Sequence, residues 1–216
     1  MSLIGIINII MQILAFIAGL FNPKTGVRYT AFVTDFDCGA VEWQAPPVVS
    51  GGEFSGTAQV RCRFEGQGGG GIQALRKHLV QQLRDDAQLR SEPKIENYGE
   101  MPSLAYEVSV DMGEGAVAHG KTHIATDGFT VLKDVFESQS FSGSSNAAYL
   151  KNVVAEYQVE STEESGVFEL RASQQIRVRK PGLMSSSAFK SSLMEQAEEA
   201  LMNRATGAVQ EMASHL

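Results

Sequence analysis

The chain has 216 residues, a length that suits one globular domain whose core is large enough to fold without disulfides. Its formal net charge is −7 and its pI is about 5.2, which argues against a general nucleic-acid-binding protein with a basic excess. The two cysteines, Cys38 and Cys62, are too few for a disulfide framework. A disulfide between them would require a compartment outside the cytoplasm, and the sequence leaves their redox state open.

Residues 1–21 form an apolar run, MSLIGIINIIMQILAFIAGLF, that contains no charged side chain. As a helix, this run is just long enough to cross a bilayer core of about 30 Å. Small and amide residues recur within it at alternating spacings of three and four, so they share one helical stripe: Gly5, Asn8, Gln12, Ala15 and Gly19. Such side chains line helix–helix contacts in membranes, so the stripe predicts docking against a partner helix.

Three other interpretations of the apolar run stay open. A cleaved secretory signal would carry a basic n-region and a small-x-small cleavage site, and the run shows neither. A helix lying flat on a membrane would need a charged polar face. The third alternative is a hydrophobic helix buried inside a soluble oligomer. Lys24 and Arg28 are the first cations after the run, and by the positive-inside tendency they predict a cytoplasmic globular domain behind a single membrane helix.

The remainder, residues 27–216, predicts a single α+β domain that follows a linker at residues 22–26. Alternating apolar and polar residues predict its strands, and glycine, proline or Asp-Gly turns separate them. The predicted strands are Tyr29–Phe36, Ala40–Gln44, Phe54–Phe64, Leu104–Val110, Val117–Thr126, Phe129–Gln139, Val153–Val159 and Phe168–Val178. Helical spacing predicts one helix from Ile72 to about Leu89 and a long C-terminal helix over Ser185–Ser214. The N-cap of the second helix would be Ser185, Ser186 or Ser187.

The elements therefore follow the order of strands, one helix, a run of antiparallel strands and a long C-terminal helix. This order predicts a curved antiparallel sheet packed on the C-terminal helix. In its last strand Val167–Arg179, the Pro181-Gly182 break and the helix Ser185–Ser214, the chain resembles the START-like (SRPBCC, or helix-grip) superfamily. The resemblance departs in one respect, because that superfamily usually has two short helices where this chain predicts one. It implies an apolar cavity that holds a lipid or another hydrophobic molecule.

Three residues are candidates for lining such a cavity. Gln174 lies on the apolar face of the last strand, between Ala172 and Ile176. A buried amide needs hydrogen-bond partners, which a ligand, a cavity water or a local side chain could supply. Ala197 and Leu201 lie on the apolar stripe of the C-terminal helix, where small side chains either leave room for a ligand or let the helix approach the sheet closely.

Other patterns that suggest chemistry have simpler explanations. His119 and His123 would share one face of a strand, but no third metal ligand is close to them in sequence. The tract Gly66–Gly71 precedes a helix but lacks the Gly-Lys-Ser/Thr ending of a phosphate loop. No serine lies in a nucleophile elbow, and no cysteine–histidine pair is suggested by position. We therefore expect no cofactor, no metal ion and no catalytic residues.

Two functions fit these predictions. The one we rank first is a non-catalytic accessory or structural subunit of a membrane protein assembly, which docks through its N-terminal helix on other subunits or on a second copy. The alternative is a membrane-tethered protein that binds a lipid or another hydrophobic ligand, with the tether holding the domain near the bilayer. Both place the chain at a membrane, and neither involves nucleic acid.

Overall fold

The computed structural model describes residues 36–66, 71–85, 89–113, 116–143, 149–182 and 184–214. The apolar run, the linker at residues 22–26 and the predicted strand Tyr29–Phe36, apart from its last residue, lie outside the described residues. So does the predicted helix-contact stripe: Gly5, Asn8, Gln12, Ala15 and Gly19. Within the described ranges, no helix is both long enough and apolar enough to span a membrane.

The described structure is an antiparallel sheet with two helices. Its strands are β1 (Phe36–Cys38), β2 (Glu42–Trp43), β3 (Val48–Ser50), β4 (Glu53–Glu65), β5 (Lys94–Tyr98), β6 (Met101–Gly113), β7 (Ala116–Thr126), β8 (Val131–Ser142), β9 (Tyr149–Ser161) and β10 (Val167–Arg179). The helices are α1 (Gly71–Asp85) and α2 (Ser186–Ser214). The strands lie in the order β1-β4-β10-β9-β8-β7-β6-β5, with β2 and β3 also paired to β4. The predicted α+β class is confirmed.

One face of the sheet, called the inner face below, packs on α2. Strand β10 shows why. Its Ala172, Ile176 and Val178 are buried, while Arg171 and Arg177, which point to the opposite face, are exposed. This period of two places every second side chain against the helix. Helix α2 contacts β4, β10 and α1, so it packs over the β4–β10 side of the sheet and covers the core.

The core consists of two hydrophobic clusters that follow α2 from end to end. The first cluster packs on the N-terminal half of α2 and includes Phe54, Tyr106, Phe136, Val153, Ile176, Phe189, Leu193 and Ala197. The second packs on the C-terminal half and includes Val60, Leu75, Leu132, Tyr157, Ala172, Leu201, Val209 and Met212. Burial of apolar surface contributes about 25 cal/mol per Å², so these two clusters supply most of the stabilisation of the fold.

A serine caps the start of α2, and a glycine of α1 allows close packing near its end. At its start, the Ser185 hydroxyl accepts a hydrogen bond from the Ala188 amide at 3.3 Å, and the Ser185 carbonyl accepts one from the Phe189 amide at 3.1 Å. Ser185 is therefore the N-cap among the three predicted serines. Near its other end, a Cβ placed on Gly71 would lie 2.7 Å from the Met212 Cβ, so glycine lets α1 begin directly against α2. Gly71 thus has a packing role.

The structure corrects several predicted boundaries. Strands β3 and β5 were not predicted, and β2 is shorter than the predicted strand Ala40–Gln44. The first helix ends at Asp85, and Leu89 instead forms an isolated bridge with Val108. Strand β8 begins at Val131 and not at Phe129, because the Asp127 carboxylate accepts hydrogen bonds from the amides of residues 129 to 131 and holds them in a turn.

The two cysteines form a disulfide between neighbouring strands. Cys38 of β1 lies directly opposite Cys62 of β4 in the antiparallel register, with their Cα atoms 4.0 Å apart. The sequence predicts Cys62 on the buried face of its strand, and its side chain is indeed buried. The bridge ties the short edge strand β1 to the long strand β4.

Candidate functional site

The candidate site is a row of side chains that crosses the middle of the inner face. In the strand register, Gln174 of β10 lies between Ala58 of β4 and Ala155 of β9, and Ala155 in turn lies beside Asp134 of β8. Neighbouring strands are about 4.8 Å apart, so the Cα atoms of Gln174 and Asp134 are separated by roughly 10 Å. We call these four residues the central row. It places two polar side chains on a face that otherwise consists of core residues.

Gln174 is the most unusual member of the central row. Its side chain is 0% exposed, and neither its amide oxygen nor its amide nitrogen has a hydrogen-bond partner among the described residues. Each buried polar group left without a partner costs about 1–3 kcal/mol. The neighbours of Gln174 on the inner face carry only methyl groups: Ala58 and Ala155 on the adjacent strands, and Ala172 on its own strand. The amide therefore extends beyond the side chains beside it, toward the helix.

All three predicted cavity residues are buried. Ala197 is 2% exposed and belongs to the first cluster with Ile176, whereas Leu201 is 1% exposed and belongs to the second cluster with Ala172. Gln174 lies between Ala172 and Ile176 on β10, so it marks the boundary between the two clusters. Their roles as ligand contacts stay a prediction.

A buried ion pair completes the central row. Arg204 of α2 donates from Nη2 to Oδ2 of Asp134 at 3.2 Å, with the two side chains 6% and 23% exposed. Burial raises the pKa of the Asp134 carboxyl, and the Arg204 charge offsets only part of that rise. Burial likewise raises the pKa of the neighbouring Tyr157 hydroxyl, which interacts with Arg204. The surroundings of this pair therefore disfavour any further net charge.

Sequence reasoning missed this ion pair, although a signal for it exists. Asp134 lies in the alternation Leu132-Asp134-Phe136, and both neighbours are buried. An acid at that period falls on the inner face and needs a partner. Arg204 follows Leu201 by three residues on the apolar stripe of α2, and a cation at that position is the matching signal.

Another buried side chain with an unpartnered polar atom lies on β6. Tyr106 is 0% exposed, and its hydroxyl has no hydrogen-bond partner among the described residues. Its cross-strand neighbour Thr122 is satisfied, because that hydroxyl donates to the Val135 carbonyl at 2.8 Å. The inner face thus carries two buried side chains, Gln174 and Tyr106, with unmet hydrogen-bonding capacity.

Trp43 closes the space between β4 and α2 at the edge of the sheet. Its indole nitrogen donates to Glu198 of α2 at 2.6 Å, and its ring meets Phe54 edge-on with centroids 6.1 Å apart. A Cβ on Gly56 would lie 2.6 Å from this ring, so glycine at that position lets the indole lie against β4. Trp43 packs against both hydrophobic clusters.

The histidines of β7 lie on the outer face, away from the central row. The His119 Nδ1 pairs with the Ser109 hydroxyl at 2.8 Å, and the His123 Nδ1 pairs with the Ser103 hydroxyl at 3.3 Å. Burial lowers the pKa of His123. Within the described part of the chain, no group of three or more His, Cys, Asp or Glu side chains is placed to hold a metal ion.

Comparisons with known proteins return matches among solved structures. No protein-family profile matches the sequence, and no curated protein matches it. Human STARD10 is 10% identical with a TM-score of 0.37, over 77% of this chain and 72% of that one. The lipid transfer and protein localization domain of human StarD13 is 13% identical with a TM-score of 0.35, over 80% and 88%. The di-domain ARO/CYC StfQ from the steffimycin biosynthetic pathway is 11% identical with a TM-score of 0.43, over 74% and 52%.

The described elements have the order that the resemblance to START-like, helix-grip proteins predicts. A curved antiparallel sheet packed on a long C-terminal helix is the architecture that the resemblance implies, and the strand order and the contacts of α2 confirm it. Solved structures at these identities and TM-scores say nothing about what this chain binds, because one fold serves many functions. The function has to be argued from the central row itself.

Proposed function

We propose that this chain binds a lipid or another hydrophobic molecule between the inner face of the sheet and α2. The observation that carries the proposal is Gln174, a fully buried amide with neither polar atom partnered by a described residue. A fold keeps such a group at a cost of a few kcal/mol only where something else satisfies it. A bound ligand is the occupant that the helix-grip architecture favours.

The composition of the surrounding surface supports an apolar ligand. Ala58, Ala155 and Ala197 present only methyl groups around the amide, and the flanking clusters contribute aliphatic and aromatic side chains. Small-molecule sites commonly combine an apolar lining with a small number of polar groups that fix orientation. Here Gln174 and Tyr106 are those polar groups.

We propose that the chain acts by binding and not by catalysis. The buried acid that could serve as a proton donor or acceptor, Asp134, is already paired with Arg204. A binding protein returns its ligand unchanged. Mass spectrometry of a ligand recovered after prolonged incubation should therefore show the mass that was added, and a converted product would indicate an enzyme.

We propose further that residues 1–21 tether the domain to a membrane, which would raise the local concentration of a lipid ligand. The accessory-subunit function depends on this same run, and the stripe that includes Gln12 is its predicted docking surface. Gln12→Leu should leave membrane insertion intact but weaken association in the bilayer. If cross-linking in native membranes gives the same assemblies for Gln12→Leu as for the wild-type chain, the stripe does not mediate docking and the subunit function is not supported.

The side of the membrane on which the domain lies is a separate prediction. Lys24 and Arg28 favour the cytoplasm, whereas the Cys38–Cys62 disulfide would persist in an oxidising compartment. Alkylation of thiols during denaturation of the membranes, with and without prior reduction, separates the two. Labelling of both cysteines without reduction supports a cytoplasmic domain, and labelling only after reduction supports the opposite side.

An enlarged side chain at Ala197 tests the binding proposal. If a ligand occupies the space beside Ala197, Ala197→Leu should fill part of that space and reduce the lipid-sized adduct seen by native mass spectrometry. If α2 instead packs tightly on the sheet, the same change should overpack the core, lower stability by about 1–3 kcal/mol and leave no adduct to lose. Ala188→Leu, at an exposed position of the same helix, is the matched control.

A further inference from the structure

We infer that the ligand carries a neutral hydroxyl group on an apolar body, and that this hydroxyl pairs with the Gln174 amide. The inference rests on the proposed function, because it names the class of ligand for the same site. It follows from the two unpartnered atoms of Gln174, from the charge balance of the central row and from the small neighbours that surround the amide.

The amide sets the hydrogen-bonding requirement. A glutamine side chain offers a carbonyl oxygen that accepts and an NH₂ group that donates. Since neither atom of Gln174 has a partner among the described residues, a ligand that satisfies both must donate as well as accept. A hydroxyl does both with one oxygen. An ether or an ester only accepts and would leave the buried carbonyl oxygen unmet, and an ammonium would leave the NH₂ group unmet.

The charges of the central row favour a neutral group. Asp134 lies two strands from Gln174 and is balanced by Arg204, so the pair adds no net charge. A ligand carboxylate would bring an uncompensated charge into this buried surface, where an unpaired charge is costly. The raised pKa of the Asp134 carboxyl reports the same resistance of these surroundings to ionised groups.

The residues that flank the amide in the sheet are small. Ala58 and Ala155 flank it across the sheet, and Ala172 precedes it on the same face of its strand. None of these carries a polar side-chain atom that could compete for the amide. The buried helix residues Ala197 and Leu201 are also apolar. A ligand hydroxyl at this level of the core would thus have Gln174 as its partner.

A competition between two matched ligands tests the inference. The full-length chain in detergent micelles is incubated with equal amounts of 1-hexadecanol and its methyl ether, 1-methoxyhexadecane, and the two adducts are resolved by native mass spectrometry. The alcohol donates and accepts, whereas the ether only accepts. We expect the wild-type chain to prefer the alcohol by about fivefold or more, since that factor corresponds to the smallest cost of an unmet buried carbonyl.

Two variants show whether Gln174 causes the preference. Gln174→Leu should bind both ligands with a ratio near one, and its thermal unfolding should confirm that it folds. Gln175→Leu, at the next and outward-facing position of β10, should keep the wild-type ratio. Comparing ratios between variants cancels any difference in how the two ligands partition into micelles.

The outcomes separate failure of the inference from failure of the proposed function. Equal binding of alcohol and ether by the wild-type chain, or an unchanged preference in Gln174→Leu, overturns the inference while the proposed function stands. If neither ligand binds the wild-type chain or the variants, the proposed function fails and the inference fails with it.

Discussion

The two faces of the sheet differ in whether all of their buried polar side chains have hydrogen-bond partners. On the outer face of β7, His119, Lys121 and His123 alternate along the strand. Each has a partner on β6 or β5: Ser109, Glu96 and Ser103 respectively. On the inner face, Gln174 and Tyr106 are more deeply buried, yet their polar atoms have no partner among the described residues.

This contrast separates polar groups that stabilise the fold from polar groups kept for another purpose. A satisfied buried hydrogen bond contributes about 1 kcal/mol, whereas an unmet polar group costs energy. Selection for stability alone would have replaced Gln174 with an aliphatic residue, as at the neighbouring position Ile176. The proposed function accounts for its presence on the inner face, and the contrast can be tested by substitutions on either face.

The largest effect is expected from breaking the ion pair of the central row. Arg204→Met should lower the free energy of unfolding by about 3 kcal/mol, because it leaves Asp134 without its compensating charge. Urea denaturation measures the change. The control is Arg171→Met, which removes an exposed arginine of β10 and should cost under about 1 kcal/mol. Equal losses in the two variants would show that the inner pair has no special role.

A smaller loss is expected on the outer face. Ser103→Ala should cost about 1–2 kcal/mol at pH 7.5, because it removes a buried partner of the His123 ring. Burial holds the pKa of His123 below its usual value, so its stabilising contribution is complete above pH 6.5 and is lost as the pH falls through the folded pKa. Urea titrations at pH 7.5 and 5.5 measure both effects. A stability that does not change between the two would contradict this description of the outer face.

Gln174→Leu should have the opposite sign. Removing two unmet buried polar atoms should raise the stability of the ligand-free chain by about 1 kcal/mol, seen as a higher midpoint of unfolding. The comparison with Ser103→Ala sharpens the contrast. Ser103→Ala removes a hydroxyl that has a hydrogen-bond partner, whereas Gln174→Leu removes an amide that has none. Destabilisation by Gln174→Leu would mean that the amide has a structural partner.

The smallest effect is expected at the β7–β8 turn. Asp127 accepts hydrogen bonds from three backbone amides and from the Thr130 hydroxyl, which lower its pKa to about 2 although burial opposes them. Its contribution is therefore present above about pH 4 and is lost as the pH falls toward 2. Asp127→Asn should cost about 0.5 kcal/mol at neutral pH and remove part of the acid-induced loss.

Asp134 should show the reverse pH dependence, and this separates the inner face from the turn. Its folded pKa is raised, so its contribution becomes less favourable as the pH rises through that value. The difference in unfolding free energy between the wild-type chain and Asp134→Asn, measured from pH 3 to pH 6, isolates that trend. If the wild-type chain gains stability relative to Asp134→Asn as the pH rises, Asp134 is not held in surroundings that disfavour its charge.

Much of the fold follows from short-range patterns in the sequence. Strand β10 was predicted because its apolar residues alternate over 13 positions, and the same alternation placed Gln174 on the buried face. The Pro181-Gly182 break and a serine N-cap gave the start of α2 within one residue. These features depend on local periodicity and capping, which a single sequence displays directly.

What the sequence did not reveal depends on contacts between distant residues. The Asp134–Arg204 pair joins residues 70 positions apart, and neither residue alone shows that the other is its partner. Strand β5 is short, and its Ile95 is exposed at the sheet edge, so it lacks the apolar alternation of the longer strands. The Trp43–Glu198 contact, 155 positions apart, was equally invisible. For the same reason, the sequence could identify Gln174 as a candidate cavity residue but could not show that its amide is unpartnered.

The measurement that tests the central claim most directly is native mass spectrometry of the full-length chain, extracted from its own membranes in mild detergent. We predict a species heavier than the 23.4 kDa chain by a discrete mass of lipid size, which Gln174→Leu weakens and Gln175→Leu does not. A chain that carries no such mass, alone or within a larger assembly of subunits, would contradict the account.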